Sequence, residues 1–262
     1  MLSGYLIMID LRHGDCLEVM KELEDDSIDL VLTDPPYGVT DCKWDSVVPF
    51  DKMWEQLNRI TKQSSPIIFT AGQPFTSALV MSNPNAFRHE WIWLKNRGSN
   101  FANTVREPFK EHESVLVFCQ SSGWTYNKQM QERTGGGIER TKYLVGHNDT
   151  HREGTRQFEG RDKHEIPKMR IPSSYQKFNV PAGKEKVKHA TQKPVKLMEY
   201  LINTYSNEGD VVLDFTMGSG TTGVACKCLN RSFIGIDIDE KYVRMTQERI
   251  DDCPTNLFGE FE

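Results

Sequence analysis

The chain has 262 residues, of which 37% are hydrophobic and 26% are charged, with a formal net charge of −5 at pH 7. This composition is that of an ordinary soluble globular protein, and the length suits one large α/β domain with a smaller insertion. We expect no membrane-spanning helix, because no run of about 18 apolar residues occurs. We also expect a cytoplasmic protein, because the amino terminus shows no signal peptide and the six scattered cysteines indicate reduced thiols rather than a zinc site.

Short apolar runs alternate with stretches of helical spacing over the first 123 residues. Predicted strands cover 5–11, 27–33, 66–70, 89–94 and 114–118, and predicted helices cover 17–23, 50–61 and 75–81. Asp15 stands where it would cap the first of these helices. Strands that alternate with helices predict a doubly wound, parallel sheet.

The strand predicted at 27–33 leads directly into Asp34-Pro35-Pro36-Tyr37. The two prolines end the strand and stiffen the turn, at the carboxyl edge where open α/β sheets bind ligands. The Asp34 carboxylate and the Pro35 carbonyl offer two hydrogen-bond acceptors, and Tyr37 offers a flat ring for stacking. These groups suit the exocyclic amino group of a nucleobase, because two acceptors would localise its delocalised lone pair. The alternative is an ordinary Pro-Pro turn after a strand.

Residues 124–188 have a different character. They contain fourteen Lys and Arg against eight Asp and Glu, a balance of +6 in a chain of −5. Aromatic residues lie among these charges, at Trp124, Tyr126, Tyr143, Phe158, Tyr175 and Phe178. This mixture favours contact with nucleic acid, and the alternative is a solvated, irregular insertion. His147 and His151 are four residues apart, but no strong third ligand is evident, so we assign no metal.

Regular elements return in the last third of the chain. Helices are predicted at 195–205, 224–229 and 240–250, and strands at 210–214 and 232–237. A glycine loop, Gly218-Ser219-Gly220, follows Asp214, and Asp237 comes 19 residues after Gly218, the spacing expected of a carboxylate that binds ribose. Asp214 would repel a phosphate and suits an amine or sulfonium, which favours S-adenosylmethionine. The alternative is a structural strand–helix turn.

The ordered combination of Asp34-Pro35-Pro36-Tyr37, a basic segment, Thr191-Gln192-Lys193-Pro194, the loop from Asp214 to Gly220, and Gly235-Ile236-Asp237 resembles the β-class DNA amino-methyltransferases. Gly14-Asp15-Cys16 is similar to the amino-terminal motif of that family, and His112-Glu113 resembles another of its motifs. One departure concerns the cofactor loop, where the family commonly has Asp-Pro-Phe and this chain has Asp214-Phe215-Thr216.

The resemblance implies a role for each motif. Asp34, with the Pro35 carbonyl, would hold the target amino group, Pro36 would stiffen the turn, and Tyr37 would stack on the extruded base. The methionine part of the cofactor would contact Asp214, the loop and the Thr191-Gln192-Lys193 segment, and Asp237 would bind the ribose. The full implied cofactor site comprises Asp15, Cys16, Asp34, Thr191, Lys193, Asp214, Phe215, Thr216, Gly218, Ser219, Gly220, Thr221 and Asp237.

The resemblance also implies a fold and an activity. The fold is a doubly wound, Rossmann-like methyltransferase fold with a catalytic half at 1–123, a target-recognition insertion at 124–188 and a cofactor-binding half at 189–262. The activity is site-specific methylation of adenine N6 in double-stranded DNA on a flipped-out base, since Asp at the first motif position is more typical of adenine enzymes. Cytosine-N4 methylation, RNA methylation and a non-catalytic nucleic-acid-binding role are the alternatives. Family members often dimerise and some accompany a restriction nuclease, but the sequence identifies neither partner.

Overall fold

The computed structural model describes residues 7–38, 46–133, 169–187 and 191–253. The loop around Trp44, the Gly135-Gly136-Gly137 run, and His147 and His151 lie outside the described residues. None of the described helices is both long and apolar enough to span a membrane.

Ten strands and six α-helices are described. The strands are β1 (Ile9–His13), β2 (Leu30–Thr33), β3 (Ile67–Ala71), β4 (Phe87–Leu94), β5 (His112–Phe118), β6 (Gln131–Glu132), β7 (Met169–Arg170), β8 (Tyr175–Lys177), β9 (Val211–Asp214) and β10 (Ser232–Asp237). The helices are α1 (Cys16–Met20), α2 (Phe50–Ile60), α3 (Phe75–Ser82), α4 (Val195–Tyr205), α5 (Thr221–Cys228) and α6 (Glu240–Asp252).

The main sheet has eight strands in the order β1-β10-β9-β2-β3-β5-β4-β8. The first five are mutually parallel, whereas β5 is antiparallel to both β3 and β4. The doubly wound sheet that the alternation of strands and helices predicts is confirmed, and β5 adds an antiparallel strand to it. β5 is antiparallel because the connection between β4 and β5 contains no α-helix that would carry the chain back across the sheet. β5 therefore begins at the edge where β4 ends. Consequently β1, β2, β3, β4, β9 and β10 all end at the edge where β5 begins.

Helices cover both faces of this sheet, as a doubly wound fold requires. On one face α1, α2 and α3 bury Met20, Leu57 and Leu79 in a cluster with Phe69. On the other face α4, α5 and α6 contribute Leu201, Ala225 and Ile250 to a second cluster. The central strands β2, β3 and β9 are buried on both sides, so they are mostly apolar rather than alternating.

Several predicted elements have shifted ends. β1 is Ile9–His13, so it ends two residues beyond the predicted end at residue 11, and its register pairs Ile9 with Phe233 and His13 with Asp237. Residues 5 and 6 of the predicted strand lie outside the described residues. α5 begins three residues earlier than predicted, at Thr221, immediately after the glycine loop. The predicted cap of α1 is confirmed, since the Asp15 side chain accepts from the Leu17 N–H at 2.8 Å.

The chain divides into two compact units. One comprises the described residues of Met1–Asn127 and Ser174–Glu262, and the other comprises those of Lys128–Ser173, where β6 pairs with β7. The second unit spans fewer residues than the insertion predicted at 124–188. Trp124, Tyr126 and Phe178 pack against the core cluster of the first unit, and β8 extends its sheet beside β4, so these residues have a structural role.

Candidate active site

A cavity of about 340 Å³ opens at the carboxyl edge of the parallel strands, within the first unit. Its lining includes most of the predicted site residues: Asp15, Cys16, Asp34, Pro36, Thr191, Gln192, Lys193, Asp214, Phe215, Thr216, Gly218, Ser219, Thr221 and Asp237. Pro35, Tyr37 and Gly220 are the predicted site residues outside this lining. Motifs that are about 180 residues apart in the chain therefore meet in one cavity because β2 and β9 are neighbours in the sheet.

Asp34 lies immediately after β2, and both of its carboxylate oxygens are hydrogen-bonded. Oδ1 accepts from the Tyr37 hydroxyl at 2.7 Å and from the Thr70 hydroxyl. Oδ2 accepts from Lys193 Nζ at 2.5 Å. A carboxylate oxygen accepts about two hydrogen bonds, so Oδ1 is saturated while Oδ2 retains one lone pair, in the part of the chain that is described. Oδ2 is therefore the oxygen that can accept from a substrate amino group.

Tyr37 makes contacts within the protein through both its ring and its hydroxyl. Its ring stacks on Phe75, with centroids 5.1 Å apart and planes 22° apart, so one face is already covered. Lys193 Nζ lies 5.9 Å from the ring centroid. Burial, together with the charges of Asp34 and Glu113, raises the Tyr37 pKa well above its ordinary value. The phenol therefore stays protonated and serves as a fixed donor to Asp34.

Lys193 belongs to a chain of alternating charges that runs from Asp34 into the protein. Its Nζ lies 3.5 Å from Glu113 Oε2, and Glu113 Oε1 accepts from Lys95. Burial would lower the Lys193 pKa, but Asp34 and Glu113 outweigh burial and raise it. Burial would likewise raise the Glu113 pKa, but Lys193 and Lys95 lower it. The Lys193 ammonium and the Glu113 carboxylate thus carry charges that their neighbours maintain, and Lys193 connects Glu113 to Asp34.

Asp214, at the end of β9, is a buried carboxylate held by hydroxyl groups. It accepts from Thr33 at 2.8 Å, from Thr222 at 2.7 Å and from the Thr216 N–H at 3.2 Å. Burial raises its pKa to about 6, even though these hydrogen bonds act in the opposite direction. Phe215 turns away into the core, where it contacts Phe69 edge-on. A cation in the cavity would stabilise the ionised form of Asp214.

Asp237, at the end of β10, organises the glycine loop. Its Oδ2 accepts from the Gly218 N–H at 2.9 Å, and its Oδ1 accepts from the Asp239 N–H at 2.8 Å. Burial raises the Asp237 pKa. Gly220 has a structural rather than a lining position, because its φ of +71° and the Thr246 side chain, 2.4 Å from where a Cβ would be, leave room only for glycine.

The remaining predicted residues have varied local roles. Burial raises the Cys16 pKa to about 12, so its side chain stays a neutral thiol. Gln192 fixes the backbone of the preceding segment, since its side-chain amide accepts from the Val187 N–H at 2.9 Å and donates to the Glu185 carbonyl at 2.8 Å. Thr191 lines the cavity.

Sequence reasoning missed several residues of the site. The segment 46–49, Met198, Ile238 and Tyr242 also line the cavity. Thr33, Thr70 and Thr222 hold the two key carboxylates. Thr33 could have been found, because it directly precedes Asp34 at the end of a predicted strand. Predicting the role of Thr70 required knowing that β3 lies next to β2.

The charge of the cavity tests whether it suits the predicted cofactor. Among the described residues, five carboxylates line it, from Asp15, Asp34, Asp214, Asp237 and Asp239, against the single ammonium of Lys193. S-adenosylmethionine carries an amine and a sulfonium, so an acidic cavity is complementary to it. Asp214 and Asp237 are the residues that would hold its charged and hydroxyl groups. The described residues therefore fit this cofactor.

Comparison with known proteins agrees with this site. Residues 28–248 match the family model described as DNA methylase, of the N6 and N4 type. The Type II methyltransferase M.HpaI of Haemophilus parainfluenzae is 30% identical over 252 residues, which are 91% of this chain and 73% of that protein. M1.MboII of Moraxella bovis is 30% identical over 252 residues, 89% of this chain and 93% of that protein.

The fold is likewise similar to solved structures. The crystal structure of the M1.HpyAVI–SAM complex superposes with a TM-score of 0.64 over 93% of this chain and 100% of that chain, at 24% identity. At this identity the likeness establishes the fold. The family match covers most of the chain and contains Asp34, Lys193, Asp214 and Asp237. The chain therefore belongs to the DNA methylase family of N6 and N4 amino-methyltransferases, and it is an S-adenosylmethionine-dependent DNA methyltransferase.

Proposed function

We propose that this enzyme methylates N6 of adenine at a specific sequence in double-stranded DNA, on a base that has left the helix stack. The observation that carries the proposal is that Asp34 and Asp214 line one cavity. An amino group held at Asp34 would therefore lie beside the residues that suit the cofactor. A base inside a duplex could not reach this cavity, so base flipping is part of the proposal.

The residues of the site can make the target nitrogen reactive. The exocyclic amine is a poor nucleophile because its lone pair is delocalised into the ring. Asp34 Oδ2 would accept one N–H, and the Pro35 carbonyl would accept the other, which favours a tetrahedral nitrogen. Tyr37 and Thr70 fix the orientation of Asp34 by holding Oδ1. S-adenosylmethionine, when bound, supplies an electrophilic methyl group, so most of the rate would come from positioning.

Adenine is favoured over cytosine by the identity of residue 34. The family resemblance associates Asp at this position with adenine N6 and Ser with cytosine N4. A relative from Escherichia coli (strain K12), named DNA adenine methyltransferase YhdJ, is 26% identical over 256 residues, 91% of this chain and 81% of that protein. Cytosine N4 remains the second candidate, because the family model spans both reactions.

The connection between β4 and β5 is a candidate DNA contact in addition to the basic insertion. Phe101 and Val105 are 81% and 85% exposed there, although both are apolar. The connection is nevertheless ordered, since the Asn100 amide donates to the Glu107 carboxylate at 3.1 Å and to the Pro108 carbonyl at 3.0 Å.

Cationic side chains accompany these apolar residues. Arg97 and Arg106 are exposed, and Lys110 lies near Gly72 at the base of the connection. The connection leaves β4 at the edge that holds the cavity. Apolar and cationic groups presented together suit base and phosphate contacts, so we propose that duplex DNA lies over this edge.

Methyl transfer to DNA tests the proposal directly. The enzyme would be incubated with labelled S-adenosylmethionine and mixed-sequence duplex DNA, and the nucleosides would be analysed by mass spectrometry. We expect N6-methyladenine. We expect Asp34→Ala to lower transfer by at least about 100-fold with cofactor binding retained, while Asp51→Ala, an exposed change on α2, has no effect.

Other outcomes would select among the alternatives. N4-methylcytosine would replace the base assignment and leave the site chemistry intact. Label in RNA but not in DNA would favour an RNA substrate, and binding of nucleic acid without cofactor binding would favour a non-catalytic role. Full activity of Asp34→Ala would contradict the assigned role of the motif.

Three further expectations accompany the proposal. The enzyme would act in the compartment that contains the DNA, which in a bacterial host is the cytoplasm. A homodimer is expected from the family resemblance and is tested by sedimentation velocity. A companion restriction nuclease is tested by asking whether a methylated site protects DNA from an activity encoded beside the gene.

A further inference from the structure

Glu113 has one feature that charge balance does not explain. Its Oε1 accepts from Lys95, but Oε2 is buried and has no hydrogen-bond partner among the described residues. Lys193 Nζ lies 3.5 Å from Oε2, an ion-pair distance, and hydrogen-bonds Asp34 at 2.5 Å instead. A buried acceptor without a close hydrogen bond is unfavourable. Lys193 is therefore held between two carboxylates and hydrogen-bonded to the one that faces the cavity.

The same ammonium would oppose the proposed reaction if it stayed on Asp34. Asp34 Oδ2 is the oxygen that retains a lone pair for the target amino group. A lysine ammonium on that oxygen withdraws electron density from it. The target nitrogen also gains positive charge as the methyl group is transferred, so a nearby cation raises the barrier. An acceptor that draws Lys193 away from Oδ2 would remove both effects.

We propose that Glu113 is a positioning residue whose Oε2 accepts the Lys193 ammonium when the target amino group binds to Asp34. The inference rests on the proposed function and adds a residue to it. Lys193 keeps Asp34 paired while no base is present, and the entering amino group replaces it. The 3.5 Å ion pair between Lys193 Nζ and Glu113 Oε2 then shortens to a close hydrogen bond, and Lys193, which is only 7% exposed, remains paired inside the protein.

The alternative is a purely structural role, in which Glu113 only neutralises two buried lysines. Two variants that break the same ion-pair chain separate these explanations. Glu113→Gln keeps the shape of the side chain and weakens its attraction for Lys193. Lys95→Met removes the other cation on Glu113 but leaves Oε2 to receive Lys193. A purely structural network should lose similar activity in both variants, whereas positioning by the Glu113 carboxylate makes the loss in Glu113→Gln the larger one.

The measurement is the single-turnover rate of methyl transfer, with enzyme, cofactor and site-containing duplex preassembled. Calorimetry provides the dissociation constants for S-adenosylmethionine and DNA. For Glu113→Gln we expect a rate about 10- to 100-fold lower, with both dissociation constants nearly unchanged. For Lys95→Met, which keeps the Glu113 carboxylate but removes one of the two cations that lower its pKa, we expect a smaller loss of rate than for Glu113→Gln. Glu111→Gln, two residues away and exposed, is the matched control.

A double variant tests whether Glu113 acts through Lys193. In a Lys193→Met background, Glu113→Gln should cause no additional loss of rate. Losses that multiply, or a Glu113→Gln rate within twofold of wild type, would overturn the inference. If Glu113→Gln does not fold, Glu113→Asp keeps the charge but withdraws it by one methylene, and a reduced transfer rate with unchanged binding is again expected. An inactive wild-type enzyme would refute the proposed function instead, so the two failures are distinguishable.

Discussion

The buried carboxylate of Asp214 is predicted to destabilise the free enzyme and to bind the cofactor. Burial raises the Asp214 pKa from 3.8 to about 6. At about 1.4 kcal/mol for each pH unit, this corresponds to about 3 kcal/mol. The folded state binds the Asp214 proton more tightly than the unfolded chain does. The corresponding contribution of about 3 kcal/mol to the free energy of unfolding is therefore fully present below pH 3.8 and is lost as the pH rises to about 6. At pH 8 the ionised group therefore costs about 3 kcal/mol.

Asp214→Asn should accordingly make the free protein more stable at pH 8. Asn keeps the size of the side chain, and its amide can still pair with the Thr33 and Thr222 hydroxyls. We expect a free energy of unfolding up to about 3 kcal/mol higher at pH 8, or a melting temperature about 6–12 °C higher for a chain of this size. The gain should shrink below about 1 kcal/mol near pH 4, where wild-type Asp214 is mostly protonated.

The same substitution should weaken the cofactor complex, because it removes the charge that faces an amine or sulfonium. Denaturant unfolding at pH 4, 6 and 8 measures the stability, and calorimetry at pH 8 measures S-adenosylmethionine affinity. Asp210→Asn, immediately before the same β-strand and outside the cavity lining, is the control and should leave the affinity for S-adenosylmethionine unchanged. A variant that is less stable than wild type at pH 8, or that binds the cofactor equally well, would refute this reasoning.

Other predictions follow from single features of the structure. Affinity for S-adenosylmethionine should fall about tenfold per pH unit below pH 6, as Asp214 becomes protonated, and calorimetry in Asp214→Asn should show a flatter profile. Gly220→Ala should destabilise the protein by about 1–3 kcal/mol in thermal unfolding, because its φ is positive and Thr246 fills the space; an unchanged melting temperature would contradict this. Phe101→Ala with Val105→Ala should weaken DNA binding in anisotropy measurements by about 10-fold, with cofactor affinity intact, and unaltered DNA affinity would remove the β4–β5 connection from the proposed interface.

Local sequence was sufficient for most elements. α4 and β10 lie at their predicted residues, because an apolar face of helical spacing and a compact apolar run each have one simple solution. The cap by Asp15 was also predictable, since it depends only on adjacent residues. The antiparallel direction of β5 was not, because it depends on the path of the connection before it.

The residue types of the site could also be predicted from the sequence. Asp34, Asp214 and Asp237 each follow or end an apolar strand, so their position at the carboxyl edge followed from the predicted parallel sheet. The sequence therefore determined the carboxylates, the glycine loop and the cofactor class. These features depend on residue type and on spacing along the chain.

The tertiary structure alone decided how these groups are paired. Lys193 was predicted to line the cofactor site, but its ammonium also binds Asp34 and lies beside Glu113, 80 residues earlier in the chain. Tyr37 was predicted as a stacking ring, and the structure adds its hydroxyl as a donor to Asp34. Spacing cannot specify such contacts, because they depend on which strands are neighbours and on how deeply each charge is buried. Burial then raises the pKa of Asp214, whereas neighbouring lysines lower that of Glu113 despite its burial, and both effects exist only in the folded chain.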